Sequence, residues 1–217
     1  MSAALGQIGI DESGKGDYFG PLVIAGVYVS AEQEEQLREL GVRDSKAVAD
    51  KKATELARQI RELCPFTTVV IGPERYNSLH ASFKNLNKLL AWGHARAIEN
   101  LLEKVSCDRV VADQFGDERF LRSALMSKGR TITLIQKPRA EEEIAVAAAS
   151  IIARAEFLRR LHDLSMRYGI TLPKGASDLV IRAGKEFVQR HDESSLGQVA
   201  KLHFRTTANV LSHNDAT

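Results

Sequence analysis

Residues 8–21 read Ile8-Gly-Ile-Asp11-Glu12-Ser-Gly14-Lys15-Gly16-Asp17-Tyr18-Phe19-Gly20-Pro21, a stretch that predicts a strand ending in two carboxylates. Its apolar start is typical of a strand over residues 7–12, and the glycines that follow predict a tight loop. Because glycine has no Cβ atom, such a loop lets a polyanion approach the backbone N–H groups. The pattern therefore favours a metal site beside a phosphate-binding loop, and catalysis on nucleic acid.

Composition places the chain among ordinary globular proteins. Of its 217 residues, 44% are hydrophobic and 27% are charged, which predicts one domain with a sizeable core. The formal net charge is only +2, so any basic surface for nucleic acid has to be local. Cys64 and Cys107 lie far apart without a CxxC motif, which excludes a disulfide framework and a zinc-finger site.

The N-terminal residues contain no signal-peptide pattern, and no apolar run in the chain is long enough to span a bilayer. We therefore expect a cytoplasmic protein without membrane contact.

Strands and helices interleave along the chain, which predicts an α/β fold. Predicted strands cover residues 7–12, 22–30, 66–71, 109–113 and 131–136, with the first two pairing as a hairpin across the glycine loop. Predicted helices cover residues 32–40, 50–64, 87–105, 141–168, 177–189 and 196–201. An alanine-rich face between residues 145 and 150 predicts very close packing of the long helix.

A third carboxylate, Asp113, ends the apolar strand over residues 109–113. If that strand neighbours the first one, Asp11, Glu12 and Asp113 meet at one end of the sheet. Crowded carboxylates are costly unless a cation neutralises them, and oxygen ligands alone point to Mg²⁺ or Mn²⁺. Taken singly, each acid is equally consistent with a strand that ends where it reaches solvent.

A fourth ligand is available from Glu141, Glu142 and Glu143 at the start of the long helix. Acidic residues also favour that position because they complement the helix dipole. The residues alone do not choose among the three.

Gly14-Lys15-Gly16 offers backbone amides and one ammonium group to a phosphate or a sugar hydroxyl, although a lone Gly-x-Gly is often only a tight turn. Further cations suited to a phosphate track are Lys46, Arg154, Lys174 and Lys185, and solvated surface charge is the other interpretation of each. Tyr18 is a candidate contact for a sugar or base, while Phe19 is expected in the core. Neither a P-loop, an HxxxH pair nor a G-x-S-x-G elbow is present.

Seven segments resemble the type 2 ribonucleases H, in the same order and over nearly the whole chain. They are Ile10-Asp-Glu-Ser-Gly-Lys-Gly-Asp-Tyr-Phe-Gly-Pro21, Arg43-Asp-Ser-Lys46, Val111-Ala-Asp-Gln-Phe115, Arg139-Ala-Glu141, Ala145-Val-Ala-Ala-Ala-Ser-Ile-Ile-Ala-Arg154, Leu172-Pro-Lys-Gly-Ala176 and Ala200-Lys-Leu-His-Phe-Arg-Thr-Thr207. The Asp-Tyr-Phe-Gly-Pro, Asp-Gln-Phe and Leu-Pro-Lys-Gly-Ala segments are similar to ribonuclease HIII, as opposed to ribonuclease HII.

The resemblance implies an RNase H-like fold, a mixed sheet flanked by helices, with a helical C-terminal part at about residues 170–212 of a single domain over residues 1–217. It also implies four catalytic, metal-binding acids. Three of them are Asp11, Glu12 and Asp113. The fourth falls on Glu141, although the run of glutamates to Glu143 leaves the alignment of this position open. Ribonucleases HIII usually carry an N-terminal TBP-like substrate-binding domain. The acidic motif begins so near Met1 that we expect this domain to be absent. The alternatives are a naturally minimal enzyme, a sequence intermediate between the HII and HIII branches, and a truncated chain.

The implied activity is endonucleolytic hydrolysis of the RNA strand of RNA/DNA hybrids, giving 5′-phosphate and 3′-hydroxyl ends. Two divalent ions, Mg²⁺ or Mn²⁺, would assist attack by water and departure of the 3′-oxygen. The resemblance implies Gly14, Lys15 and Gly16 as readers of the 2′-hydroxyl, with Tyr18, Lys46 and Lys174 as further substrate contacts. We expect a monomer without an obligate protein partner. Ribonuclease HII-like incision at single ribonucleotides in duplex DNA is the alternative activity, and a non-catalytic hybrid-binding module is the alternative class.

Overall fold

Five strands form one mixed sheet in the computed structural model, which describes residues 6–43 and 48–212. The strands are β1 (Gln7–Ser13), β2 (Leu22–Val29), β3 (Phe66–Ile71), β4 (Arg109–Asp113) and β5 (Thr133–Lys137), in the order β3-β2-β1-β4-β5. Strand β1 pairs antiparallel with β2 and parallel with β4, and β4 pairs parallel with β5. The predicted α/β class and the predicted β1–β2 hairpin are confirmed.

The α-helices are α1 (Ala31–Glu39), α2 (Asp50–Leu63), α3 (Pro73–Phe83), α4 (Leu86–Leu102), α5 (Glu118–Ala124), α6 (Ile144–Tyr168), α7 (Asp178–His191) and α8 (Thr206–Leu211). Among the described residues, short 3₁₀ turns cover Gly129–Thr131, Ala140–Glu142 and Leu196–Gln198. Sequence patterns missed α3, α5 and α8, and the predicted helix over residues 196–201 is only the last of these 3₁₀ turns. The long helix begins at Ile144, three residues later than predicted.

The centre of the sheet is buried on both faces, as parallel strands between helices require. The side chains of Ile8 and Ile10 in β1 and of Val110, Val111 and Ala112 in β4 are completely buried. Burial of both strands specifies their register, because a slip by one residue would turn each apolar side chain to the opposite face. The last residues of β1 and β4 are consequently held in fixed positions.

Helix α6 lies against β1 at main-chain contact distance. A Cβ atom added to Gly9 would meet the carbonyl carbon of Ala145 at 2.0 Å, so only glycine fits there. Ala145, Ala147, Ala148 and Ala149 are all completely buried, which confirms the predicted close packing of this helix face. The contact lies two residues before Asp11.

The chain divides into two compact units. The first contains residues 1–13, 23–70 and 83–156, and therefore the sheet with α1, α2, α4, α5 and the first half of α6. The second contains residues 14–22, 71–82 and 157–217, and is mainly helical. The single domain over residues 1–217 stays a prediction. None of the helices within residues 6–43 and 48–212 has the length and apolar character needed to cross a membrane.

Candidate active site

Asp113 is the last residue of β4, and Asp11 lies two residues before the end of β1, its parallel neighbour in the first unit. Ile10 of β1 is paired with Ala112 of β4, and each aspartate is the next residue along its strand. Parallel neighbours lie about 4.8 Å apart, so the two carboxylates leave the sheet side by side. The sequence-based expectation that these strands are neighbours is confirmed.

Asp11 has the most perturbed carboxyl group in the site. Burial raises its pKa to about 8, and the negative charges of Glu12 and Asp113 contribute to the rise. A hydrogen bond from the Ser150 side chain, and one of 2.8 Å from the backbone N–H of Glu12 to Asp11 Oδ1, act in the opposite direction. A desolvated acid crowded by two other acids is a position that a cation would stabilise.

Glu12 is held by a histidine from α4. Its side chain is 10% exposed, and its Oε2 atom lies 3.0 Å from Nε2 of His94. The His94 ring is completely buried and packs edge-on against Phe115 with centroids 4.7 Å apart. Sequence spacing gave no sign of this contact, because the two residues are separated by 82 positions.

Asp113 connects the sheet to the turn that carries the three glutamates. The backbone N–H of Ala140 donates to Asp113 Oδ1 at 3.1 Å, and Ala140 begins the 3₁₀ turn Ala140–Glu142. Arg139 precedes that turn in the left-handed conformation, with φ of 55°. Glu141 therefore directly follows Ala140, the residue whose N–H contacts Asp113.

The other two glutamates have different surroundings. Glu143 accepts hydrogen bonds from Lys137 Nζ at 2.6 Å and from Gln7 Nε2 at 3.2 Å, and the lysine is the main cause of its lowered pKa. Glu142 is exposed. Glu141 is half-buried and lines a cavity of about 480 Å³ together with the guanidinium-bearing residues Arg38, Arg43 and Arg139.

The donor set fits hard divalent cations, because every candidate ligand offers carboxylate oxygen. In the described part of the chain, no three His, Cys, Asp or Glu side chains already stand in an arrangement that would hold a metal ion. Holding an ion between Asp11, Asp113 and their neighbours therefore requires some of these carboxylates to rotate about their side-chain bonds. The crowding of negative charge around half-buried Asp11 supplies the driving force for such binding.

The glycine loop belongs to the second unit. Gly14 adopts a positive φ of 89°, and the backbone N–H of Asp17 donates to the Gly14 carbonyl at 3.3 Å, closing a four-residue turn. A Cβ atom on Gly14 would lie 2.2 Å from the Pro21 carbonyl oxygen, whereas one on Gly16 would have no neighbour within 4 Å. Gly14 is thus required by the turn, and exposed Gly16 leaves its backbone open to an approaching group.

Tyr18 does not present its side chain to solvent, contrary to the expectation of a substrate contact. The ring is completely buried, packs against Phe19 and Phe204, and its oxygen accepts a hydrogen bond from Thr207 Oγ1 at 3.2 Å. Its apolar surface and this single polar partner account for its place in the core. Phe19 is also completely buried, as expected.

A buried lysine that sequence reasoning overlooked fixes the residues after the glycine turn. Lys201 is completely buried, and its Nζ atom donates to the carbonyls of Asp17 and Gly20, each at 2.7 Å. The backbone N–H of Lys201 also donates to the Tyr18 carbonyl at 2.9 Å. Its place inside the Ala200–Thr207 segment was the only signal in the sequence.

The remaining predicted cations differ in their surroundings. Lys46 lies outside the described residues. Lys174 is exposed in a turn whose Gly175 N–H donates to Asp17 Oδ1 at 2.7 Å. Arg154 pairs with Asp50, with Nε 3.1 Å from Oδ1, so it is engaged within the first unit.

Comparison with known proteins identifies the family. The model of the family described as Ribonuclease HII matches residues 8–207. Ribonuclease HIII of Protochlamydia amoebophila is 50% identical over 205 residues, which are 94% of this chain and 68% of that protein. Ribonuclease HIII of Chlamydia pneumoniae is 46% identical over 209 residues, covering 95% of this chain and 70% of that protein.

A solved structure supports the same family. The crystal structure of Bst-RNase HIII in complex with Mn²⁺ superposes with a TM-score of 0.90 at 34% identity, covering 96% of this chain and 70% of the other. The match extends over the sheet and the helical C-terminal part alike. With its acids, its glycine turn and its sheet order in place, the chain belongs to the ribonuclease HII family, among relatives that are ribonucleases HIII.

Proposed function

We propose that this protein is a metal-dependent endoribonuclease that hydrolyses the RNA strand of RNA/DNA hybrids, with Asp11, Glu12, Asp113 and Glu141 as its metal-binding residues. The observation that carries the proposal is the pair of aspartates on adjacent parallel strands, with the half-buried Asp11 carboxyl crowded by Glu12 and Asp113. The Mn²⁺ complex of a related ribonuclease HIII supports the choice of Mg²⁺ or Mn²⁺ as cofactor.

Two bound divalent ions supply the Lewis acidity that water needs to attack a phosphodiester and the positive charge that the departing 3′-oxygen needs. The protein's own contribution is to hold the backbones that carry its oxygen donors close together. Asp11 and Asp113 are held by neighbouring strands, and the Ala140 N–H fixes one oxygen of Asp113. Because the donors are already gathered, only side-chain rotations remain when metal binds, which lowers the cost of collecting charge at the reacting phosphate. Hydrolysis in this way leaves 5′-phosphate and 3′-hydroxyl ends.

Glu141 is the better choice of fourth ligand because it directly follows Ala140, whose N–H contacts Asp113, whereas Glu143 is paired with Lys137. The cavity that Glu141 and Glu142 line also carries Arg38, Arg43 and Arg139. This positive charge suits the approach of a polyanionic substrate but does not choose between the two glutamates.

Recognition of the RNA strand is proposed for the turn Gly14-Lys15-Gly16, which begins two residues after Glu12 in the sequence. The exposed backbone at Gly16 gives a 2′-hydroxyl access to amide donors, and this hydroxyl is the group that distinguishes RNA from DNA. Lys174 and Lys46 are proposed as contacts to the phosphate backbone. We also propose that the enzyme acts as a cytoplasmic monomer.

The decisive variant is Asp113→Asn, which keeps the shape of the side chain and removes its charge. We expect cleavage of a fluorescent RNA/DNA hybrid in Mg²⁺ to fall by about 100-fold or more, since a ligand charge is worth several kcal/mol. Hybrid binding, measured by fluorescence anisotropy in Ca²⁺, should change little. Asp163→Asn, at an exposed aspartate that pairs with Arg159, is the matched control. Cleavage by Asp113→Asn at the wild-type rate would refute the assignment.

The alternative of incision at single ribonucleotides is less favoured, because the curated relatives are ribonucleases HIII. A direct comparison of two duplexes tests it, one with an all-RNA tract and one with a single embedded ribonucleotide. We expect the tract to be cleaved with the higher kcat/KM. The reverse preference would assign the protein to the other activity.

A further inference from the structure

His94 is a completely buried polar residue that contacts the acidic site. It lies on α4, where Leu89, Leu90, Ala97 and Ile98 are also buried, and none of its ring surface is exposed. A buried imidazole needs a partner to offset its lost hydration. That partner is Glu12, whose Oε2 atom lies 3.0 Å from His94 Nε2.

The ring makes its hydrogen bond through one nitrogen. Nδ1 of His94 is buried and has no hydrogen-bond partner among the described residues. A carboxylate oxygen can only accept, so Nε2 is the donor to Glu12. Within the described part of the chain, Glu12 is therefore the hydrogen-bond partner of this ring.

The ring is also held in orientation. Phe115, two residues after Asp113, packs edge-on against it at a centroid distance of 4.7 Å. The histidine thus contacts Glu12 at the end of β1 and the segment that follows β4. Rotation of the ring away from Glu12 would have to displace this aromatic contact.

We propose that His94 is a positioning residue for the metal site: its Nε2–H group holds one oxygen of the Glu12 carboxylate, and its packing against Phe115 fixes the direction of that hydrogen bond. A group that orients a metal ligand in this way is worth about 10- to 100-fold in metal affinity. This inference rests on the proposed role of Glu12 as a metal ligand.

Three substitutions separate donor geometry from ring volume. Gln places its amide nitrogen near the position of Nε2, Asn places its amide nitrogen near that of Nδ1, and Phe fills the space without a donor. The readout is Mn²⁺ binding to the substrate-free protein, followed by the electron paramagnetic resonance signal of free Mn²⁺. We expect His94→Gln to bind within about threefold of wild type, and His94→Asn and His94→Phe to bind about 10- to 100-fold more weakly.

Exposed His162 provides the matched control, and His162→Gln should bind Mn²⁺ like wild type. Equal affinity in all proteins, or a loss in His94→Gln as large as that in His94→Asn, would overturn the proposal. Because Mn²⁺ binding is measured without substrate, this result is independent of the Asp113→Asn cleavage test, in which the proposed function itself fails or holds.

A measurement on the wild-type protein keeps the proposal testable if a substitution prevents folding. The ¹H–¹⁵N signals of the histidine rings are recorded with and without Mg²⁺. We expect the Nε2–H signal of His94 to shift when Mg²⁺ is added and the ring signals of exposed His162 to stay in place. An unchanged His94 signal at a Mg²⁺ concentration that supports cleavage would contradict the proposal.

Discussion

Lys137 donates from Nζ to Oε1 of Glu143 at 2.6 Å, and this ion pair neutralises part of the charge of the Glu143 carboxylate. Both partners are on the first unit, and the second oxygen of Glu143 accepts from Gln7. A carboxylate with a cation and an amide already bound has less charge to offer a metal ion. The pair therefore distinguishes three consecutive glutamates that look alike in the sequence.

The first prediction concerns these glutamates. Glu141→Gln should lower kcat by about 100-fold or more, because it removes a ligand charge from the metal site. Glu143→Gln should lower it much less, because it breaks a partly exposed ion pair worth about 0–1 kcal/mol. Exposed Glu142 supplies the matched control, Glu142→Gln. Steady-state cleavage of an RNA/DNA hybrid measures all three, and a larger loss in Glu143→Gln than in Glu141→Gln would move the ligand to position 143.

The second prediction separates the two glycines of the turn. Gly14→Ala forces a residue with a side chain into a positive φ and against the Pro21 carbonyl, so we expect a stability loss of about 1–2 kcal/mol or more. Gly16→Ala meets no atom within 4 Å, so its stability should stay within about 0.5 kcal/mol of wild type.

The Gly16→Ala variant also tests whether the glycine turn recognises RNA. If a hybrid approaches the backbone at Gly16, the new methyl group should raise KM with little effect on thermal stability. Thermal melting and steady-state kinetics on one preparation provide both values. A wild-type KM in Gly16→Ala would argue against a substrate contact at this residue.

The third prediction tests whether Tyr18 has a purely structural role. Tyr18→Phe removes the oxygen that accepts from Thr207, and the loss of one hydrogen bond should cost about 1 kcal/mol of unfolding free energy. Thr207→Val removes the same bond from the other side and should cost a similar amount. Neither should change KM. A raised KM at unchanged stability would instead indicate that the Tyr18 oxygen reaches the substrate.

The fourth prediction concerns pH and Lys201. Burial lowers the pKa of this lysine from 10.5 to about 7 in the folded protein. Between these two values the unfolded chain binds more protons than the folded protein, so unfolding free energy rises with pH across this range. The contribution of Lys201 to the unfolding free energy is smallest below pH 7. Above pH 7 it increases by up to about 1.4 kcal/mol per pH unit.

The groups that face Lys201 do not obscure this effect. The Asp17 charge acts in the opposite direction to burial, and the pKa of His203 is lowered to about 4 while that of Tyr76 is raised to about 12. Urea unfolding from pH 7 to pH 10 measures the effect in wild type against Lys201→Met, with the non-titrating Lys201→Arg as a second reference. A stability difference independent of pH would contradict the prediction.

Local patterns were sufficient for most of the sheet. Alternating or continuous apolar runs with turn residues at their ends placed the strands, because burial on the sheet demands those runs. The missed helices lack such a signal. Helix α3 buries only Pro73 and Tyr76, and the seven-residue α5 buries only Leu121. Short helices of this kind are stabilised by caps and neighbours, which a periodicity test does not detect.

The residues of the candidate site also differ in how well the sequence predicts them. Asp11, Glu12 and Asp113 were predictable because they follow apolar strands directly. The partners of these acids were not, since His94 and Ala140 come from distant segments and are typical core residues in their local sequence. The start of α6 was misplaced because Arg139 turns the chain through a left-handed conformation before the helix begins.

The contact between Gly9 and Ala145 gives a residue without any functional group a measurable influence on chemistry. A methyl group at position 9 would start 2.0 Å from the main chain of Ala145, where ordinary contact begins at 3.4 Å. The strand would have to move by roughly an ångström, and displacement on that scale costs roughly 100-fold in rate when it reaches the reacting groups. In a saturation mutagenesis scan of activity, position 9 would therefore score like a catalytic acid.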